Sequence, residues 1–257
     1  MKLIHRSLTA AATAATIVAA LVVALPASAS AAVGVEASAP TAAVQADSYP
    51  VATAAQLASA RQSVPKTRNT ENPSQLKSAV DAQLATAAAG GAVVLSIDFQ
   101  YQQTGYWCAP AATRIALSAR GINVSQQQMA NELPTDTNGT DWIGQVTKVL
   151  SNHVGWYETK ELPNDPPTQA QKDLLWSDIV LDINNNYPIV ANIVAPPGNH
   201  PPGYPNYTIY HYFTVIGYNP ANQQVLIADP AGFAPTATYW LTFAQLASLI
   251  PPKGYSA

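Results

Sequence analysis

A helix start is predicted within the stretch Tyr106-Trp107-Cys108-Ala109-Pro110-Ala111-Ala112. Apolar residues recur at helical spacing after Ala112, and Gly121 supplies a stop signal. Proline is compatible with a helix only in its first turn, so Cys108 should lie at the helix N-terminus. Unpaired N–H groups there carry a partial positive charge, which favours a thiolate over a thiol and suits a developing oxyanion.

Cys108 is the only cysteine in a chain whose N-terminus has the pattern of an export signal. Lys2 and Arg6 precede an apolar run over residues 10–25, and small residues follow it. We therefore expect residues 1–31 to be a signal peptide and the mature protein to be secreted. Exported proteins usually pair their cysteines as disulfides, so a single thiol is either reactive or a small buried hydrophobe. The local sequence leaves both interpretations open.

Composition divides the rest of the chain into two parts. Residues 32–94 are rich in Ala, Ser, Thr and Gln and contain one aromatic residue, Tyr49, which is too little apolar bulk for a core. This part is predicted to be a low-complexity linker or propeptide with one helix over Ser74–Ala88, and residues 95–257 to be the folded domain. Gly90-Gly91 near the border could be a cleavage site for an inhibitory prosegment or a flexible hinge.

Charge and motifs exclude several classes of protein. A formal net charge of −3 with 11% charged residues argues against a nucleic-acid-binding protein, which needs clustered Lys and Arg. The chain has no phosphate-binding Gly-rich loop, Cys-x-x-Cys pair or His-Glu-x-x-His helix, so no cofactor and no metal are expected. No stretch after the signal is long and apolar enough to span a bilayer, so the protein should not be membrane-embedded.

Helices are predicted to precede strands in the folded domain. Helical spacing and start signals predict helices over residues 125–132, 140–150 and 168–186. Apolar and alternating patterns then predict strands over residues 189–194, 209–218 and 225–230.

The last two of these strands should bring Asp229 close to His211. With a four-residue turn at 219–222, residue 211 is predicted to lie opposite residue 230, which makes Asp229 its neighbour. A histidine on an apolar strand is often a satisfied core residue, and Asp-Pro often ends a strand, so this pair alone does not establish a catalytic site.

Together with Cys108, the pair makes up the set that a cysteine nucleophile needs. The imidazole takes the thiol proton and later protonates the leaving amine, while the carboxylate orients the ring. A side-chain donor for the oxyanion is also required, and Gln102 or Gln103 could supply it.

These segments resemble the motifs of a known family, the C39-like group of papain-like cysteine peptidases. In that family a Gln precedes a Cys-Gly-Pro-Ala helix start, which is similar to the segment Gln102-Gln103-Thr104-Gly105-Tyr106-Trp107-Cys108-Ala109-Pro110-Ala111-Ala112. The second half of the family's site is similar to residues 211–218 and 227–230, and the resemblance covers roughly residues 95–250. Ala109 replaces the family's Gly, and its methyl group could narrow the cleft.

The resemblance implies a papain-like α+β fold, with N-terminal helices followed by an antiparallel sheet. It also implies hydrolysis of a peptide or related amide bond without a cofactor, with a peptide or protein as the substrate. In this family's pattern Cys108 would be the nucleophile, His211 the acid and base, and Asp229 the residue that orients His211. Gln102 would be the oxyanion donor, with Gln103 as the competing candidate.

Three alternatives stay open. A cell-wall hydrolase of the NlpC/P60 type is also exported and would be cell-wall associated, although its His follows its Cys more closely than His211 follows Cys108. A catalytically silent papain-like domain would bind peptides, and the intact set of four site residues disfavours it. Transglutaminase chemistry uses the same triad with an amine in place of water.

Residues 196–205 form a proline-rich stretch before the His211 strand. Such a stretch does not suit a sheet interior, so it is predicted to be a loop that forms a wall or lid of the cleft. Its aromatic neighbours Tyr204, Tyr207 and Tyr210 could line a peptide-binding rim or pack inward.

Overall fold

The computed structural model describes residues 73–257, except for the side chains of residues 73–76 and 86–90. The predicted signal peptide, residues 1–31, and the greater part of the predicted linker lie outside the described residues. Within residues 73–257 the helices are α1 (Pro73–Gly90), α2 (Cys108–Ala119), α3 (Gln126–Glu132), α4 (Ile143–Val154), α5 (Gln169–Asn184) and α6 (Phe243–Leu249). The strands are β1 (Val93–Val94), β2 (Thr159–Glu161), β3 (Ile189–Ala195), β4 (Ile209–Asn219), β5 (Gln224–Ala228), β6 (Thr238–Thr242) and β7 (Gly254–Ser256).

These strands form one sheet in the order β2-β7-β3-β4-β5-β6, with β1 also paired to β4. All pairings in this sheet are antiparallel. Since most of the helices precede the long strands, the predicted α+β class with N-terminal helices and an antiparallel sheet is confirmed.

N-cap side chains explain where two of the predicted helices start. The Ser125 hydroxyl accepts a hydrogen bond from Gln128 N at 3.0 Å, and the Thr168 hydroxyl accepts one from Gln171 N at 3.3 Å. The helix predicted from residue 140 instead begins at Ile143, because Trp142 has an extended backbone and Gln145 accepts a bond from its N–H.

The central strands β3 and β4 are buried on both faces of the sheet. Phe213 and Val215 of β4 pack with residues of α5 and β3 in one apolar cluster. Tyr212, between them in sequence, packs with residues of α2, α3 and α4 in a second cluster. Because alternate residues of a strand point to opposite faces, β4 contributes to both clusters and is the element around which the domain is built.

The register of the β4–β5 hairpin differs from the prediction by one residue. The connection is residues 220–223 instead of 219–222, and a bulge interrupts the pairing between Val215 and Gly217. Thr214 pairs with Ala228, so the prediction that residue 211 lies opposite residue 230 is wrong. A bulge inserts one extra residue in one strand. On the side of the bulge away from the turn, the changed register brings Asp229 to the same face as His211.

Part of the predicted linker packs on the domain. The predicted helix over Ser74–Ala88 is present as α1, and its Val80 is 6% exposed within the cluster that contains α5. After α1, Val93 pairs with Tyr218 at the end of β4. No helix within residues 73–257 has both the length and the apolar character that a bilayer crossing requires.

Candidate active site

Cys108 is the first residue of α2, as the sequence predicts. Pro110 lies in the first turn, and Ala111 N donates to Trp107 O at 3.0 Å to close that turn. Nearly all residues from Ala109 to Ala119 are buried, so the helix that carries the thiol is held firmly in the core. The start of this helix has unpaired N–H groups, as every helix start does.

The methyl group of Ala109 packs into the core. Ala109 is fully buried in the same cluster as Ala112 and Tyr212. It does not line the pocket beside Cys108. The expected narrowing of the cleft by this methyl group is therefore not found.

Cys108 and His211 line the same small pocket. The free volume of this pocket is about 10 Å³, roughly the space of one water molecule. The Thr214 hydroxyl, three residues along β4 from His211, donates to Ala112 O at 2.9 Å in the buried interior. This bond ties β4 to α2 and fixes the imidazole relative to the thiol.

Asp229 lies on the other side of the His211 ring. His211 Nε2 and Asp229 Oδ1 are 2.8 Å apart, and both side chains are at most 5% exposed. Nδ1 is therefore the ring nitrogen left to interact with Cys108. The structure thus brings Cys108, His211 and Asp229 together from distant parts of the chain.

The protonation of this pair is set by opposing effects. Burial alone would lower the pKa of His211, but the charge of Asp229, its hydrogen bond and the neighbouring Cys108 raise it to about 10. Burial would raise the pKa of Asp229, yet the His211 charge and hydrogen bonds hold it below its ordinary value. At neutral pH the pair is an imidazolium beside a carboxylate.

Gln102 is buried, whereas Gln103 is exposed. The Gln102 side-chain amide donates to Thr104 O at 3.0 Å and to Gly105 O at 3.2 Å, in the turn that leads to Cys108. Gln102 does not line the pocket in this state. It would reach an oxyanion only by exchanging one of these two backbone acceptors.

Gln126 is a supporting residue that the sequence analysis missed. Its side chain is fully buried, donates to Tyr101 O at 2.8 Å and accepts from Gln103 N at 3.0 Å. These bonds hold the backbone on both sides of Gln102. Because Gln126 is polar and lies near a helix start, the sequence did not predict that its side chain is buried.

Four other side chains line the pocket, and of these only Tyr210 was singled out from the sequence, as a candidate for a peptide-binding rim. Thr140, Asn192, Tyr210 and Tyr212 line it with Cys108 and His211. Asn192 Nδ2 donates to the Tyr212 hydroxyl at 2.9 Å, and that hydroxyl donates to Thr140 O at 3.3 Å. The signal for Asn192 was present, since it is the one polar residue within the apolar strand β3.

The family to which the chain belongs follows from a match to a protein-family model. The model of the Peptidase_C39 like family matches residues 94–248, which include all four predicted site residues. The chain belongs to the Peptidase_C39 like family. The resemblance found in the sequence is thereby confirmed. The members of this family are peptidases that act on peptides, and the pocket described above is the candidate site for such an activity.

Solved structures of low sequence identity are similar to this Peptidase_C39 like chain. The peptidase domain of Streptococcus ComA, a bi-functional ABC transporter involved in a quorum-sensing pathway, is 19% identical, with 61% of this chain and 93% of that chain covered and a TM-score of 0.39. Xylellain, a cysteine protease from Xylella fastidiosa, is 14% identical over 64% of this chain and 84% of that chain, with a TM-score of 0.39.

A third similar structure is a double glycine motif protease from an AMS/PCAT transporter in complex with the leader peptide. It is 13% identical, with 64% of this chain and 95% of that chain covered and a TM-score of 0.40. No curated protein is similar in sequence to the chain.

Proposed function

We propose that this member of the Peptidase_C39 like family is a secreted cysteine peptidase that hydrolyses a peptide or related amide bond through Cys108, His211 and Asp229. One observation carries the proposal: the thiol and the imidazole line one pocket, and the buried carboxylate bonds the ring nitrogen that faces away from the thiol. A thiol used only for packing has no need of a buried imidazolium beside it.

The proposed reaction starts from the Cys108 thiolate and the His211 imidazolium. The Cys108 sulfur, as a thiolate stabilised by the imidazolium and the helix N-terminus, attacks the carbonyl carbon of the substrate. His211 Nδ1 donates its proton to the amine as the carbon–nitrogen bond breaks, which leaves a thioester. Water then loses a proton to His211 and attacks the thioester, which releases the acid and restores the thiolate. Asp229 keeps the ring oriented throughout.

The oxyanion of both tetrahedral intermediates needs donors near the start of α2. Backbone N–H groups of the first turn are one source, and we assign the other to the Gln102 side chain. The support for Gln102 over Gln103 is its burial and its bonds to the turn before Cys108.

Gln102→Ala is expected to lower kcat about 10²-fold, because one oxyanion donor contributes on this scale. Gln103→Ala is the matched control, since its exposed side chain should leave kcat unchanged. Steady-state hydrolysis by the two variants measures the difference. Equal activity of both variants would remove Gln102 from the mechanism, and a loss confined to Gln103→Ala would transfer the role to Gln103.

Labelling by iodoacetamide tests the proposal without knowledge of the substrate. Intact-mass spectrometry follows alkylation of Cys108, the only cysteine, in wild type and His211→Ala across pH 4 to 9. Rapid labelling of the wild type well below pH 8.5, where a free thiol ionises, is expected, and it should be lost in the variant. Slow labelling that does not depend on His211 would make the protein a silent papain-like domain that binds peptides.

Export is the part of the proposal that rests on the sequence alone. The pattern of residues 1–31 supports it, and protein recovered from the medium with its N-terminus near residue 30 or 32 would agree with it. Retention of the intact N-terminus in the cytoplasm would contradict it.

A cleavage at Gly90-Gly91 would have to occur between two molecules. Val93, just after this pair, is bonded to the end of β4 that is far from His211, about 23 Å away along the strand. In this arrangement the pair cannot enter the pocket of its own chain. The pair connects α1, whose Val80 packs in the core, to β1, which pairs with β4.

A further inference from the structure

Two tyrosine hydroxyl groups converge on one oxygen of Asp229. Tyr204 Oη donates to Asp229 Oδ2 at 2.8 Å, and Tyr239 Oη donates to the same atom at 2.5 Å. The other oxygen, Oδ1, accepts from His211 Nε2 and from Ala231 N at 2.9 Å. A carboxylate has about four acceptor sites, so this one is fully occupied and has a single orientation.

The two phenols come from different parts of the fold. Tyr239 is on β6, opposite Ile227 of β5, and Tyr204 is in the β3–β4 loop (residues 196–208). Each is 8% exposed. Burial and the Asp229 charge raise the pKa of both hydroxyls, so they stay protonated as donors from pH 4 to 9.

The β3–β4 loop is held in place around Tyr204. Gly203 has a φ of +77°, and a Cβ there would collide with the Phe233 carbonyl, so only glycine fits. The Tyr204 ring packs edge-on against Phe233 and His211, with centroid distances of 4.9 and 6.0 Å. At the other end of the loop, Asn199 Nδ2 donates to Ser248 Oγ at 2.9 Å. The loop is therefore a fixed support for the site, and its Tyr204 packs inward.

We propose that Tyr204 and Tyr239 are positioning residues that keep the shared proton on His211 and thereby set the reactivity of Cys108. The proposal rests on the proposed function, since it concerns the same thiol and imidazole. The titratable groups that face Asp229 are His211 from β4, Tyr204 from the β3–β4 loop and Tyr239 from β6, and Cys108 of α2 lies beyond His211.

One proton lies between His211 Nε2 and Asp229, and it can reside on either the imidazole or the carboxylate. Donors on Oδ2 stabilise the carboxylate, so the proton of the pair stays on the imidazole. Without them Oδ2 is buried and unsatisfied, and the proton moves from His211 Nε2 to Asp229, which leaves a neutral carboxylic acid beside a neutral imidazole. The positive charge beside Cys108 is then lost, although no residue that contacts the thiol has changed.

The test compares four proteins: wild type, Tyr204→Phe, Tyr239→Phe and the double variant, with Tyr207→Phe as the control. Tyr207 lies in the same loop but is 37% exposed. The measured quantity is the rate of iodoacetamide labelling of Cys108 from pH 4 to 9, with thermal unfolding of each variant to establish that it is folded. Each single variant should label about 10-fold more slowly at pH 6, and the double variant about 100-fold, because hydrogen bonds to a charged group contribute on this scale.

The pH profile separates positioning from a structural role. In the double variant the pH profile of labelling should shift towards that of His211→Ala, while Tyr207→Phe keeps the wild-type profile. A folded double variant with the wild-type profile would overturn the proposal, as would an equal effect of Tyr207→Phe. If the double variant does not fold, the two single variants decide by the same shift.

This readout also separates the inference from the proposed function. Labelling that depends on His211 and on the two phenols, in a protein that cleaves no peptide, would leave the inference standing and overturn the peptidase. Labelling of the wild type that is slow and independent of His211 would overturn both.

Discussion

Cys108→Ser is expected to abolish hydrolysis, with a fall in kcat/KM of at least about 10⁴-fold. Serine has nearly the same shape, but its hydroxyl stays protonated beside an imidazolium that can no longer accept a proton readily. With His211 charged at neutral pH, the pocket is arranged for a nucleophile that is already an anion.

The same change should leave the fold intact. Cys108 is half-buried, forms no disulfide and is the first residue of its helix, where serine has nearly the same size and shape. The free energy of unfolding of the Cys108→Ser variant should differ from that of the wild type by no more than about 0.5 kcal/mol. Hydrolysis of a general protein substrate and thermal unfolding are the two measurements. Activity above one part in about 10² of the wild type would contradict a thiolate mechanism.

Asp229→Ala is expected to cause the second largest loss, with kcat reduced about 10³-fold. This is less than the effect of about 10⁴ known for the buried acid of serine triads, because a thiol ionises more readily and is more nucleophilic than a serine hydroxyl even without the imidazolium beside it. The alanine leaves His211 Nε2, Tyr204 Oη and Tyr239 Oη without their acceptor in a buried site. The free energy of unfolding should fall by about 3 kcal/mol as a result.

Asp229→Asn is the matched control for this prediction. Its amide oxygen can still accept from His211, and the two phenols can rotate to accept from the amide nitrogen. Activity and stability should therefore lie between those of the wild type and Asp229→Ala. Steady-state kinetics and urea unfolding measure both, and equal losses in the two variants would show that orientation by an acceptor is not what Asp229 contributes.

The stability difference between wild type and Asp229→Ala should depend on pH. The pKa of His211 is raised from 6.5 to about 10, so its contribution is fully present below about pH 6.5 and is lost as the pH rises through 10. The pKa of Asp229 is lowered from 3.8, so its contribution is present above that value and is lost as the pH falls below it. The difference, measured by urea unfolding at each pH, should be largest near pH 5 and smaller at pH 10.5, where the bonds from the two phenols to Asp229 remain.

Local patterns in the sequence predicted the elements that carry the site. Proline at position 110 confined the helix start to the few residues before it, so Cys108 could be placed near an N-terminus without any knowledge of the fold. Alternation along residues 209–218 predicted a strand, which is present as β4, and the structure shows that both of its faces are buried. Short elements such as β7, which is three residues long, gave no signal because pairing with β2 and β3 stabilises it.

The register of the β4–β5 hairpin could not be predicted from the local sequence. The turn begins one residue later than predicted and β4 contains a bulge, and both shifts together decide which face Asp229 occupies. Propensities in the turn cannot specify a bulge, since its energy depends on how β1, β3 and β5 all pair with β4. The neighbour relation of His211 and Asp229 was predictable, but its geometry was not.

The sequence by itself determined the class of fold, the helix start at Cys108 and the family, because these depend on periodicity, on the conformational limits of proline and on motifs within short segments. The tertiary structure alone decided the surroundings of the pair. Tyr204, Tyr239 and Gln126 come from separate elements, and each finds its partner only after the sheet and helices have packed. Their hydrogen bonds exist because burial leaves a carboxylate or a backbone amide with no water to bond, and the fold must supply the partner instead.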